Sequence, residues 1–93
     1  MSTIVTASTP RFSEDVRVKI GNALCGSLSN KERVCLLKEI SVISIKYYNV
    51  VPNQYVAIQL VDGKIVECAE TELGLLKSMQ GKTFPSPIFI CKS

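Results

Sequence analysis

The chain has 93 residues and a net charge of +3, with 46% apolar residues, 20% charged residues and neither His nor Trp. That length and apolar content describe one small folded domain, not a disordered chain, and no run approaches the ~20 apolar residues of a membrane span. Without histidine, no side chain titrates near neutrality unless it is strongly perturbed, which points away from acid–base catalysis and from an enzyme.

Residues 1–10, MSTIVTASTP, read either as a loose N-terminal tail or as a short edge strand around Thr3–Thr6, and residues 11–93 read as a single α+β domain. Ser13 followed by Glu14 and Asp15 is a helix start: the hydroxyl caps free amides and the acids suit the positive end of the helix. Val16, Ile20 and Leu24 mark its buried stripe, and Gly26 is placed to end it in a left-handed turn. Ser29-Asn30-Lys31-Glu32 has the capping-box spacing for a second helix, with Leu28 as a staple ahead of it and Val34, Leu37 and Ile40 as its apolar face. The following ISVISIKYYNVV is rich in β-branched residues, yet Leu36, Ile40, Ile43 and Tyr47 keep helical spacing, so the second helix is expected to run on to about Tyr47.

Two apolar runs, Tyr55–Val61 and Lys64–Cys68, flank Asp62-Gly63, which predicts a hairpin with a two-residue type I′ turn. That register puts Val56, Ile58, Leu60, Ile65 and Glu67 on one face, and Tyr55, Ala57, Gln59, Val66 and Cys68 on the other. Both faces carry apolar groups, so helices are expected against both or one face serves an oligomer. Thr71 caps a third helix whose Leu73, Leu75, Leu76 and Met79 cover one side, with Gly74, Lys77 and Ser78 turned away. Pro85 and Pro87 then keep a linker out of helix, and PIFIC forms a closing strand, apolar enough to be covered on both faces. The assembly is α+β: two N-terminal helices followed by a ββαβ unit with a small mixed sheet, the first hairpin strand in the middle.

Gly81-Lys82-Thr83 matches the tail of a phosphate-binding loop, but that loop needs glycine five residues before Gly81, where Leu76 stands, and it opens a helix instead of closing one. Gly81 is better placed as a helix terminator. Cys25, Cys35, Cys68 and Cys91 show no C-x-x-C pair and are read as buried or inert thiols, not as zinc ligands. Glu67, Glu70 and Glu72 cluster ahead of the third helix without a partner base or substrate group. No motif implies a catalytic residue, a cofactor or a metal. The N-terminal stretch has neither the positive start nor the apolar core of a signal peptide, which suggests reduced thiols in a cytoplasm.

Residues 1–46 carry seven basic and four acidic groups, and residues 47–93 four of each. Arg11, Arg17, Lys19, Lys31 and Arg33 are the candidate nucleic-acid contacts, on two helices joined by a short turn. Glu14, Asp15 and Glu32 interrupt them, and no aromatic platform accompanies them.

The pieces Leu36–Ile40, Tyr55–Ile58, Asp62–Val66, Leu73–Gly81 and Pro87–Phe89 resemble a family of small, mostly archaeal domains of uncharacterised function. The likeness covers residues 30–91; Gln59-Leu60 before the turn and the longer N-terminal helix depart from the family's pattern. The resemblance implies no catalytic residues, and some such proteins are similar to antitoxins, which implies a toxin-like protein partner.

These features together predict a non-enzymatic interaction module that binds a protein partner, or a second copy of itself as a homodimer, through a sheet edge or an exposed apolar face. The return strand of the hairpin supplies the candidate contacts Lys64, Val66 and Cys68. The alternative is a small basic protein associated with nucleic acid or the ribosome.

Overall fold

The structure, a computed structural model, describes residues 9–93; the expectation for Thr3–Thr6 lies outside them. The elements run α1 (Glu14–Leu24), α2 (Asn30–Tyr47), β1 (Tyr55–Gln59), β2 (Ile65–Ala69), α3 (Glu72–Met79) and β3 (Ile88–Lys92), an α+β order as expected.

Each helix begins where its cap was read. Ser13 Oγ accepts from Val16 N, and Thr71 Oγ1 accepts from Gly74 N. At Ser29 the box closes both ways: Glu32 N donates to Ser29 Oγ at 3.2 Å and Ser29 N donates to Glu32 Oε1 at 3.0 Å. The first two helices end in paired return bonds around a left-handed residue. In α1 this residue is Gly26, with Gly26 N on Ala23 O and Ser27 N on Asn22 O. In α2 it is Asn49, with Asn49 N on Lys46 O and Val50 N on Ile45 O. Helix α2 therefore extends to Tyr47 despite its β-branched residues.

The buried stripes differ in detail from the expectation. Val16, Ile20 and Ala23 are buried in α1, while Leu24 is exposed. Steps of four residues drift by about 40° around a helix, and a final step of three brings the stripe back. In α2 the buried line is Leu36, Ile40 and Ser44; Val34 lies on the far side and is exposed. In α3 Leu75 alone is fully buried, and Leu73 and Leu76 are exposed. Gly74, expected to point outward, instead approaches the sheet, where an added Cβ would sit 3.7 Å from Ala69 Cβ. This eight-residue helix meets the sheet along one narrow line, so the leucines on its other side stay in water.

The sheet order is β2-β1-β3, with β1 central as expected. Its direction is a correction: both pairings of β1 are antiparallel, so the sheet is not mixed. The crossover from β2 through α3 does deliver β3 parallel to β2, but on the far side of β1, and that position makes it antiparallel to its hydrogen-bonded neighbour. Among the described residues β3 is therefore an edge strand, half-buried and not covered on both faces.

The hairpin turn is also longer than the type I′ turn that Asp62-Gly63 suggests. Gln59 N donates to Lys64 O at 2.8 Å and Gly63 N to Gln59 O at 2.8 Å, enclosing Leu60–Gly63. Only Gly63, at φ +73°, has positive φ here. Asp62 keeps a negative φ, and its carboxylate accepts from Lys64 N at 3.0 Å, an Asx turn. Because of this loop and a bulge between Ala57 and Ile58, Glu67 pairs with Ala57, and Cys68 with Val56. Both residues thus exchange the faces expected of them.

Helices α1 and α2 pack on the face of Val56, Ile58 and Leu60, joined there by Ile65, Phe89 and Cys91. Helix α3 lies against β2 and β1 from the other side, over the fully buried Ala57. The described residues thus form three layers, with the sheet between α1 and α2 on one face and α3 on the other.

Candidate protein-interaction surface

Backbone bonding determines which sheet groups face outward. On β1, Gln59 turns to β2 through Lys64, while Leu60 N reaches Pro87 O at 3.0 Å and Ser93 N reaches Gln54 O at 2.7 Å. Alternation along the ladder then directs the backbone groups of Ile88, Ile90 and Lys92 away from β1. On β2 the same logic turns Cys68 outward, whereas Val66 is the extra residue of the bulge, where alternation breaks. Lys64, grouped with them from the sequence, has its carbonyl committed to Gln59 instead.

The two edges are not equivalent. β2 carries the bulge, and its Glu67 accepts an ion-pair bond from Lys82 Nζ at 2.6 Å. Lys82 lowers the Glu67 carboxyl from its ordinary value, by hydrogen bond first and by charge second. β3 pairs with β1 over five consecutive residues without irregularity, from Tyr55↔Lys92 to Gln59↔Ile88. Its Ile88 and Ile90 lie on the α3 side of the sheet but are only half-buried, because α3 covers β2 and β1. A regular, apolar, unbulged edge is the kind to which an added strand pairs.

Beside the end of β3 runs a groove lined by Lys38, Ser41, Val42, Ile45 and Lys46 of α2 and by Cys91, Lys92 and Ser93. Val42 is 67% exposed. The floor is apolar and no Asp or Glu side chain lines it. Lys92 directs its ammonium to the opposite face, over the Tyr55 ring at 5.7 Å.

The five basic residues read as nucleic-acid contacts do not converge. Arg33 is half-buried and donates from Nη1 to Ala23 O at 3.2 Å, locking the end of α1 onto α2. Lys19 pairs with Asp15 at 3.3 Å and, with Lys31, borders a hollow shared with Glu32 and Glu39. Arg11 and Arg17 border a separate hollow with Asp62. Each cation stands near an acid or serves the fold.

Three of the four thiols correct the buried reading: Cys25, Cys35 and Cys68 are exposed and only Cys91 is half-buried. The reason is register, since Cys35 follows the exposed side of α2 and Cys68 sits on an edge strand. Burial pushes the Cys91 thiol pKa up, opposed by a weaker hydrogen bond with Ser41. Glu70 and Glu72 are exposed and stand apart from the Glu67–Lys82 pair. Gly81 has φ +78° just past α3, in the terminating role read for it.

The groove beside β3 has only a faint sequence signal, Lys38, Val42 and Lys46 at i, i+4 and i+8, an apolar residue between two cations that marks no buried stripe. Among the described residues no helix is long and apolar enough to cross a membrane. No family model, curated protein or solved structure matches the chain.

Proposed function

We propose that this chain is a non-enzymatic protein-interaction module that recruits its partner by strand addition at the β3 edge. One observation carries the reading: an unbulged edge strand turns the backbone groups of Ile88, Ile90 and Lys92 outward beside half-buried isoleucines. Main-chain pairing supplies affinity in such contacts, and pockets for alternate side chains supply selectivity. The β2 edge at Val66 and Cys68 is the lesser candidate, because a bulge twists an edge away from pairing. The dispersed arginines and lysines support a nucleic-acid role less well.

Ile90→Pro tests this directly. Its N–H faces away from β1, so proline there spares the ladder while removing a donor and blocking a new strand. Far-UV circular dichroism should show the helices intact, and a native low-salt purification should lose the stoichiometric companion seen with the wild type. Val66→Pro, on the other edge, should keep it. A folded Ile90→Pro protein that retains its companion at wild-type stoichiometry would overturn the assignment.

A further inference from the structure

The β3 edge and the α2 groove adjoin, and their chemistry specifies what can lie there. Lys38 and Lys46 stand two turns apart on α2, about 12 Å along the axis, with the exposed Val42 between them. Neither lysine has an ion-pair partner among the described residues, and no Asp or Glu side chain lines the groove they border. A second copy paired edge to edge about a two-fold axis would bring the same lysines of both molecules together, and like charges so placed repel. An acidic partner would instead neutralise them.

We propose, resting on the strand-addition reading, that the occupant is an extended protein segment with acidic residues flanking an apolar one. In an extended strand, positions i, i+2 and i+4 share a face, and i to i+4 spans about 13 Å. A segment of the form acid-x-apolar-x-acid thus matches the lysine separation and sets its central side chain over Val42 and Ile45. Its backbone pairs with the outward groups of Ile88, Ile90 and Lys92.

The probe is a capped, fluorescein-labelled nine-residue peptide containing Glu-Thr-Val-Thr-Glu, beside a control in which both Glu are Lys. Fluorescence anisotropy at low salt should show the acidic peptide binding the full chain and the control failing. The double variant Lys38→Glu/Lys46→Glu should weaken the acidic peptide by about tenfold or more and gain the lysine peptide, since both pairs change from attraction to repulsion. Raising the salt should erode the difference. Equal binding of the two peptides, binding of neither, or an unchanged preference in the double variant would overturn the acidic assignment. So would a dimer abolished by Ile90→Pro with no peptide bound, because a second copy would then hold the edge. If the peptides fail while Ile90→Pro still loses its companion, strand addition stands and only the partner chemistry falls. Retention of the companion by Ile90→Pro removes the foundation of both.

Discussion

Gly63 concentrates several demands at one residue. It holds φ +73°, where an L side chain is strained, and a Cβ there would meet the Phe12 ring and come within 2.9 Å of Ser44 Oγ. Ser44, fully buried, donates from that oxygen to Gly63 O at 2.7 Å. The hairpin loop is thereby clamped between α2 and the segment that leads into α1. Gly63→Ala should cost about 2–4 kcal/mol, combining backbone strain with overpacking. Urea denaturation measures it, and an unchanged midpoint would disprove the clamp. The dipeptide Asp62-Gly63 marks a turn in the sequence, but not its four-residue length. That length depends on the bond from Lys64 N to the Asp62 carboxylate and on the space Phe12 leaves, and Phe12 lies far from the glycine in sequence.

Among the elements, the helix termini were the most legible, because a cap is a local device: Ser13, Ser29 and Thr71 act on amides within three residues. Helix faces were less so. Leu73 and Leu76 look like core residues until the position of α3 over β2 and β1 is known, and tertiary placement decides which side of a short helix is buried. The capping box also carries a pH dependence. Glu32 has its pKa lowered, first by the Ser29 N–H and then by the Ser29 hydroxyl. Its contribution is complete above the ordinary carboxylate range and is lost as pH falls through the lowered value. Glu32→Ala should therefore be less stable than the wild type at pH 7, and the two should converge in acid below that lowered value. Denaturant midpoints across the range would check it, and a gap that persists in strong acid would count against the box as its source.

At the scale of the molecule, the order of elements and the central place of β1 followed from the hairpin signal and the crossover rule, but strand direction did not. The candidate interaction edge moved from β2 to β3 for the same reason: bulges and partners across a sheet depend on residues far apart in sequence. The layered arrangement also sorts the thiols. Iodoacetamide at neutral pH should modify Cys25, Cys35 and Cys68 well before Cys91, which is half-buried against the core with its pKa raised. Peptide mapping over time would read the order, and early modification of Cys91 would contradict that packing.

The placement of β1 between two parallel strands has a kinetic side. β1 and β2 can meet through a short loop, whereas β3 reaches β1 only after the chain has passed through β2, α3 and the proline-bearing linker. Closing so long a loop is slow compared with forming a hairpin. During that interval the flank of Val56, Ala57 and Ile58, later the most enclosed strand of the protein, is open to any neighbouring chain. The nascent molecule is thus most prone to aggregate just before its final strand arrives.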